Sequence, residues 1–589
     1  MISYRFQSAD LKHPLAVLGK MDKHSESCEL GGIDTRDVGE VGSLEDGVHG
    51  LHRKLGPRRL QLITIGGAIG TALFIAIGSG LYQGGPGSLF LAFLIECAMV
   101  GMLNNCLAEM VTYMPVSGGF VSLAGKWVDD AWGFMAGWNF FIYLVLAVPY
   151  EISAINLLLS YWRDDIPVLA ICLVCIALYA YGPVLPSMWI LTKQILCYSI
   201  LNIFAVESYG EAEFWLASGK VLLIILLFFF TFITMVGGNP KHDAYGFRYW
   251  NDPGAFATYR TTGDLGRFEG FLGALWMAAF TVTGPEYISM VAAEAKHPRL
   301  YIKNAYKTMY WRFGTFFIGG SLCVGVVIAY NDPSLVGAIT NGNSSAAASL
   351  YIIAMKNLGI KGLPDFCSAL MVTSVFSAGN NYTYTATRAL YGMAINGRAP
   401  RFFAYTTKRG VPIYCLSVPL AFAFLSLLQL SGGSYKVLGW LVSITTANIM
   451  IYFITIMVTY VCFYRACRAQ GFDRKSLPYT GRFQPYCGYI ALMWFIVVVF
   501  CFGYSSFKPW NTTNFFLNYV MLIFCPSIFF IWKYYKKTRW LRPEEVDLKW
   551  EADAITAYEA SVLERPTTFW RDMFAFLNIR KRKARASTA

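Results

Sequence analysis

Long apolar runs separated by short polar connectors make up most of this chain. A helix needs about 20 apolar residues to cross a bilayer core, and twelve runs of the sequence reach or approach that length. The runs cover residues 60–81, 87–113, 131–159, 188–206, 214–236, 271–293, 313–330, 363–393, 413–430, 437–463, 488–507 and 515–534. The pattern predicts an all-α membrane protein of about twelve transmembrane helices. Its membrane domain would cover residues 58–537, between polar tails at 1–57 and 538–589.

A thirteenth apolar stretch, residues 166–186, does not fit this alternation. If it crossed the bilayer, every later loop would change sides, and the basic loop clusters would face away from the cytoplasm, against their usual preference. Three interpretations stay open. The stretch is a short external or re-entrant hairpin interrupted by Gly182, Pro183 and Pro186, a true span with unusual topology, or the translation of a retained intron. We expect that it is not a full span.

Composition and charge support the membrane class and set an orientation. Charged residues make up only 14% of the chain, whereas they make up about a quarter of the residues in soluble domains. The net charge of +13 comes from Lys and Arg in short clusters between apolar runs. That is the pattern of cytoplasmic loops and not of a nucleic-acid surface. We therefore expect both termini in the cytoplasm. Two glycosylation sequons, at Asn343 and Asn511, then fall outside the cell.

The sequence lacks the signatures of several other classes. The first fifty residues contain no apolar core of a cleavable signal peptide, so the first span is expected to direct membrane insertion. No GxxxxGK[ST] loop for ATP, no zinc-binding spacing and no nucleophile signature occurs. Cys172 and Cys175 form a CxxC pair inside an apolar run, where buried small side chains are the simpler interpretation. We expect neither an enzyme nor a bound metal or cofactor.

Glycine and proline interrupt two of the predicted spans. The first span contains Gly66, Gly67 and Gly70, and the sixth contains Gly284 followed by Pro285. Interrupted helices in corresponding positions of two five-helix halves indicate a binding site at the middle of the membrane in inverted-repeat transporters. Close packing of glycines between helices is the alternative for the first span. Half-helix ends attract opposite charges, so the pair of breaks suits a substrate that carries both a carboxylate and an amine.

Ionisable residues inside the spans are costly and by default suggest function. They are Glu96, Glu109, Glu151, Lys220 and Glu286. Glu109 and Lys220 lie near predicted cytoplasmic ends, where capping or snorkelling is an equally good explanation. Glu286 follows the break in the sixth span and is the strongest of these candidates. Phe280, just before the same break, is a candidate gate or cation-facing ring.

Several motifs in order resemble the fungal amino-acid permeases of the amino acid-polyamine-organocation superfamily. The matching segments are 69–74 (IGTALF), Glu109 with 115–120 (PVSGGF), 137–139 (GWN), 209–215 (YGEAEFW), Gly284 with Glu286, 377–381 (SAGNN), Arg388 and 410–412 (GVP). Within that family, segments 75–78 (IAIG), 161–165 (YWRDD) and 231–240 (TFITMVGGNP) look closest to a yeast plasma-membrane member linked to carnitine and polyamines.

The resemblance implies a LeuT-like fold of two inverted five-helix repeats plus two helices. It also implies proton symport at the plasma membrane, with the proton as coupling ion and no other cofactor. The implied substrate site comprises Ile69, Gly70, Thr71, Phe280, Thr281, Gly284 and Glu286, and Lys220 matches a lysine proposed to take the coupling proton. Three departures, at Ala72, Pro285 and Glu96, put a standard α-amino-acid substrate in question and are compatible with a quaternary amine or a polyamine.

Two functions of different classes are weighed. The first is proton-coupled uptake of amino acids or related amines. The second is a nutrient sensor of the same fold that binds without transporting. Expected partners are the small amine or amino-acid substrate and membrane lipid, which the basic cluster 580–585 would contact. By analogy, a ubiquitin ligase would act on Lys20 and Lys23. No nucleic-acid partner is expected.

Overall fold

The structure is a computed structural model. It describes residues 55–68, 70–163, 165–184, 205–341, 349–406, 412–432, 434–507, 509–562, 566–569 and 571. The α-helices are α1 Pro57–Ala68, α2 Ile77–Tyr113, α3 Gly119–Trp127, α4 Asp130–Leu159, α5 Val168–Val184, α6 Ala205–Met235, α7 Gly263–Thr281, α8 Pro285–Met290, α9 Pro298–Arg312, α10 Gly319–Val327, α11 Pro333–Asn341, α12 Leu350–Asn357, α13 Leu363–Ile395, α14 Ile413–Ala423, α15 Gln429–Gly432, α16 Ser434–Ala469, α17 Tyr486–Cys501, α18 Thr512–Lys536 and α19 Ala552–Ser561.

Eight stretches of helix in the described residues are long and apolar enough to cross a membrane, by length and composition. Helix dominates because a backbone in hydrocarbon must satisfy its own N–H and C=O groups. The eight are Ala72–Tyr113, Asp130–Leu159, Leu216–Met235, Pro298–Val327, Ile413–Ser431, Lys436–Ala469, Tyr486–Ser506 and Thr512–Lys536. The prediction of an all-α membrane protein is confirmed.

The twelve predicted spans exceed these eight for identifiable reasons. Ala72–Tyr113 holds most of two predicted spans, the sixth span is broken into α7 and α8, and α13 is long but rich in polar residues. The predicted span at 188–206 lies almost wholly outside the described residues.

A kink at Gly85 separates the first span from the second within α2. Gly85 has φ 75° and ψ 174°, and Pro86 follows it. A Cβ at Gly85 would stand 2.8 Å from the backbone nitrogen of Ala257, so both the dihedral angle and the close approach require glycine. The first predicted span therefore includes α1, a break, a π-helix at Ala72–Ala76 and the start of α2.

Two packing groups form the bundle. Helix α2 packs along α7, and α4 packs along both α13 and α16. Aromatic rings fill the space where α3, α4 and α16 meet, with Phe120 5.3 Å from Phe140 and Phe140 5.6 Å from Tyr452 between ring centroids. The elements that carry the two predicted helix breaks thus lie against a tightly packed scaffold.

Helix α5 occupies the stretch that we expected not to cross. Its backbone stays helical through Gly182 and Pro183, so these two residues do not interrupt it as the hairpin interpretation supposed. One face buries Cys172 and Tyr179, and the opposite face exposes Leu173. The helix packs on α4 and α14. Pro186 lies outside the described residues, and the expectation that 166–186 is not a full span stays a prediction.

The chain after α18 folds back onto the end of the bundle. Val546, Leu548 and Ile555 are buried. The Tyr113 hydroxyl, at the end of α2, donates to the Leu548 carbonyl at 2.9 Å, and the indole N–H of Trp127 donates to a backbone carbonyl of the same segment at 3.2 Å. The first part of the predicted tail 538–589 therefore packs against the membrane domain.

Candidate functional site

The break in the first span places backbone at the centre of the bundle. Helix α1 ends at Ala68 and helical structure resumes at Thr71, with Gly70 in a bend between them. A Cβ on Gly70 would stand 3.3 Å from Oε1 of Glu151. Ile69, predicted with these residues, lies outside the described residues. The new helical stretch begins here, so its first N–H groups have no partner within the helix.

The break in the sixth span faces the first. Helix α7 ends at Thr281, and α8 begins at Pro285. Gly284 adopts φ 140°, a conformation that side chains with a Cβ rarely adopt. Pro285 takes the first helical position of α8, where its missing N–H costs no hydrogen bond. The departure from the family at this position therefore fits the helix start.

A small closed cavity lies between the two breaks. Its volume is about 20 Å³, which is enough for a water molecule but far too small for an amino acid. It is lined by Gly70, Thr71, Ala72, Tyr143, Ala147, Tyr150, Glu151, Phe280, Thr281, Thr283, Tyr382 and Thr445. Four predicted site residues, Gly70, Thr71, Phe280 and Thr281, thus come together in one place. An amino acid therefore needs more room than this cavity offers.

Among the described residues that line the cavity, Glu151 is the only acidic one. Its side chain is 1% exposed, and its Oε2 accepts a hydrogen bond from the Thr71 hydroxyl. Lys220, also 1% exposed, interacts electrostatically with the same carboxylate. The sequence marked Glu151 only as an acidic residue within a span, whereas the structure places it at the helix break beside the predicted substrate residues.

Aromatic side chains that sequence reasoning missed line the rest of the cavity. The rings of Tyr150 and Phe280 meet edge to face, with centroids 5.3 Å apart. The ring centroids of Tyr143 and Tyr382 are 6.2 Å apart. Residues 143, 147, 150 and 151 recur at the spacing of one helix face. That spacing is the signal in the sequence that could have found them.

Glu286 and Gly284 lie outside the cavity lining. The Gly284 N–H donates to both carboxylate oxygens of Glu286, at 3.2 and 3.1 Å. The Tyr452 hydroxyl donates to Oε1 of Glu286 at 3.0 Å. Glu286 thus accepts hydrogen bonds at the start of α8 and is not among the residues that line the cavity. Its predicted role in substrate binding stays a prediction.

The other two intramembrane acids serve contacts away from the site. Glu109 accepts two hydrogen bonds from Arg474, at 2.7 and 2.9 Å. Glu96 accepts one from the indole N–H of Trp494 at 2.9 Å. Both carboxylates join the second span to later parts of the chain and are not among the residues that line the cavity.

The glycosylation candidates differ in what the structure describes. Asn511 is exposed and caps α18, its side chain accepting a hydrogen bond from the backbone N–H of Asn514 at 3.0 Å. Asn343 lies outside the described residues.

Comparison with known proteins identifies the family. A family model described as "Amino acid permease" matches residues 59–544, which include both helix breaks and every residue of the cavity. The chain belongs to the amino acid permease family. The predicted resemblance to fungal permeases is confirmed, and this permease is a multi-pass membrane transporter of amino acids.

Similar proteins are fungal permeases matched over most of their length. The general amino acid permease AGP2 of Saccharomyces cerevisiae is 42% identical over 518 residues, which are 86% of this chain and 83% of that protein. The proline-specific permease of Emericella nidulans is 35% identical over 523 residues, 88% of this chain and 92% of that one. The dicarboxylic amino acid permease of Saccharomyces cerevisiae is 35% identical over 508 residues, 85% and 79% of the two chains.

Proposed function

We propose that this permease takes up amino acids or related amines across the plasma membrane in symport with protons. The observation that carries the proposal is the buried Glu151 carboxylate beside the first-span break. It faces a small cavity that also contains the aromatic ring of Phe280. Transport leaves the substrate chemically unchanged, so the site needs groups that bind and release and none that react.

The cavity offers complementary charges to an amino acid. The substrate carboxylate would bind at the backbone where the helix restarts at Thr71, because the start of a helix attracts negative charge. Its ammonium would bind Glu151 and the faces of Tyr150 and Phe280, since aromatic faces attract cations. This assignment adds Glu151 to the predicted site, which placed the amine near Phe280 and the carbonyls of the sixth span.

Lys220 supplies a route for coupling to a proton. Lys220 is buried beside Glu151, and a buried lysine can hold or release a proton as its surroundings change. We therefore assign Lys220 as the candidate carrier of the coupling proton.

Two observations support an amine-bearing substrate but do not single out one compound. The relatives that share this chain's length are named for general amino acid, proline and dicarboxylic amino acid transport. Ala72, which stands where the family usually has glycine, lines the cavity and reduces the room near the substrate carboxylate. Carnitine and polyamines therefore stay among the candidates with neutral amino acids.

Uptake of labelled substrates tests the proposal. Full-length chain is expressed in a permease-deficient yeast, and uptake of proline, glutamate, carnitine and spermidine is measured with and without a protonophore. We expect uptake of at least one compound, abolished by the protonophore. Uptake insensitive to the protonophore would overturn proton symport. Saturable binding with no uptake would favour the sensor function instead.

A matched pair of variants tests the site. Glu151→Gln removes the charge from the cavity, and Glu96→Gln removes a buried charge of the same kind outside it. Loss of a buried charge partner costs about 2–5 kcal/mol, so Glu151→Gln should raise the KM by roughly 30-fold or more. Glu96→Gln should leave the KM unchanged. Equal effects of the two variants at equal surface levels would contradict the assignment of Glu151.

The proposed orientation has both termini in the cytoplasm, where the N-terminal lysines would meet the ubiquitin machinery. Asn511 is then extracellular. A shift in electrophoretic mobility on glycosidase treatment, lost in Asn511→Gln combined with Asn343→Gln, checks this orientation. A shift that persists without both asparagines would show that the sugar is attached elsewhere.

A further inference from the structure

A second and much larger cleft lies away from the substrate cavity. Its volume is about 850 Å³, within the range of ligand sites. Three elements form it: one face of α2, one face of α9, and the loop between α16 and α17. Ala98, Gly101 and Asn105 share the α2 face, spaced three and four residues apart. The cleft opens on the outside of the bundle, since Ala98 is exposed.

One part of the cleft wall is basic. Lys303 and Lys307 project from one face of α9, and Arg482 projects from the loop. Lys303 donates to the Pro478 carbonyl at 2.7 Å, whereas Lys307 and Arg482 are exposed. Among the described residues that line the cleft, none is an Asp or a Glu.

Another part of the cleft wall is apolar. Ala98, Gly101 and Met102 form it with the ring of Tyr310, which is 43% exposed and whose hydroxyl donates to the Gly101 carbonyl at 3.2 Å. The shape is a groove with a cationic end and an apolar end.

Hydrogen bonds hold the loop in place over the groove. Asn105 donates from its side-chain amide to the Arg482 carbonyl at 2.8 Å and accepts from the Tyr479 hydroxyl at 2.8 Å. Phe483 has φ 57° and exposes 81% of its surface. Tyr486, at the start of α17, exposes 71%. Exposed aromatic rings beside basic residues are typical of the membrane–water interface.

We propose that this groove binds one anionic phospholipid. The phosphate lies among Lys303, Lys307 and Arg482, and an acyl chain lies along Ala98 and Met102 on α2. Basic pockets between transmembrane helices on the cytoplasmic side bind acidic headgroups, and the loop between α16 and α17 is cytoplasmic in the proposed orientation. The lipid would tie α2 and α9 to the loop that follows α16. This site is separate from the transport site and does not depend on the substrate.

Binding of defined lipids to the purified full-length chain tests the proposal. The chain in detergent is titrated with phosphatidylserine or phosphatidic acid, with phosphatidylcholine as the neutral lipid. Inorganic phosphate and glycerol phosphate are the soluble arms. We expect saturable binding of the two acidic lipids, weak binding of phosphatidylcholine, and no effect of the soluble phosphates. Equal binding of phosphatidylcholine, or full competition by inorganic phosphate, would overturn the proposal.

Variants with a matched control locate the site. Lys307→Gln with Arg482→Gln removes two charges without removing the hydrogen bond that Lys303 makes to the loop. Each basic residue near a membrane surface contributes about 1 kcal/mol, so this variant should bind the acidic lipids roughly 30-fold more weakly. Arg465→Gln with Arg468→Gln, exposed at the end of α16, makes the same change in net charge and should have no effect. Equal losses in the two variants would contradict the site.

A third variant addresses the apolar half without altering charge. Ala98→Trp fills the exposed wall of the groove, and it should weaken binding of phosphatidylserine at least 10-fold. All variants are checked by size-exclusion profile, and Ala98→Trp does not alter a buried position. Full lipid binding by a correctly folded Ala98→Trp would show that the acyl chain does not lie in this groove.

Discussion

The ion pair between Glu109 and Arg474 gives a prediction with a definite asymmetry. Glu109 is fully buried and accepts hydrogen bonds from Arg474, from the Tyr460 hydroxyl at 3.2 Å and from the Gly481 N–H at 2.9 Å. Arg474 is 22% exposed and stands at the edge of the same network. Removing Arg474 and removing Glu109 should therefore lower the free energy of unfolding by different amounts.

Arg474→Gln leaves a buried carboxylate with neutral donors only. Removing one partner of a buried pair costs about 3–5 kcal/mol. Glu109→Gln leaves an arginine that can turn toward water, so it loses mainly charged hydrogen bonds, at about 1.5–3 kcal/mol. The double variant removes the uncompensated charge. We expect it to be more stable than Arg474→Gln alone.

Unfolding of the purified permease in micelles of rising dodecyl sulfate fraction measures these differences. The four proteins form a double-mutant cycle, which isolates the energy between the two side chains. From the most to the least stable, we predict the order wild type, Glu109→Gln, the double variant and Arg474→Gln. The two proteins in the middle of this order can also be equally stable. If Glu109→Gln is the least stable single variant, or if the two losses add, the reasoning from burial is refuted.

Three further contacts give shorter predictions. Arg299→Glu should expose the chain after α18 to protease, because it removes the ion pair with Glu559 at 3.6 Å and the hydrogen bond from the Arg299 guanidinium to the Ala552 carbonyl at 3.3 Å. The added change Glu559→Arg should restore protection. Trp494→Phe should lower the midpoint temperature of thermal unfolding, because it removes the indole N–H that donates to Glu96. Glu96→Gln should leave the midpoint unchanged, because the new side-chain amide oxygen still accepts that hydrogen bond and the other oxygen of Glu96 has no partner among the described residues. Equal midpoints for the two variants would contradict this reasoning. Gly70→Ala should reduce uptake at least 10-fold with normal surface levels, because the new Cβ narrows the cavity; unchanged uptake would show that this bend is not near the substrate.

The helix breaks were predictable because they depend on local chemistry. Gly284 and Pro285 mark the start of α8 with a positive φ and a proline at the first helical position, and both effects are properties of the residues themselves. The break near Gly70 follows from the same kind of signal. The period and length of apolar runs likewise predicted most of the spanning helices.

The contents of the site were less predictable because they depend on which helices meet. Glu151 stood among five ionisable candidates, and only the packing of α4 against the first-span break places it beside Thr71. Glu286 ranked above it on sequence, yet the N–H of Gly284 and the hydroxyl of Tyr452 occupy its carboxylate. The groove between α2, α9 and the later loop combines segments almost 400 residues apart, so no local pattern indicates it.

The small volume of the cavity affects how a measured affinity for the substrate should be interpreted. A site that holds about 20 Å³ must open before a substrate enters, so the measured dissociation constant is the intrinsic one divided by the fraction of open molecules. If one molecule in a hundred were open, about 2.7 kcal/mol of binding energy would go into opening. A substitution that holds the cavity open would then tighten binding and slow turnover together. If the substrate binds in this cavity as proposed, we expect tight binding and fast transport to compete, and a collection of variants selected for one should be depleted in the other.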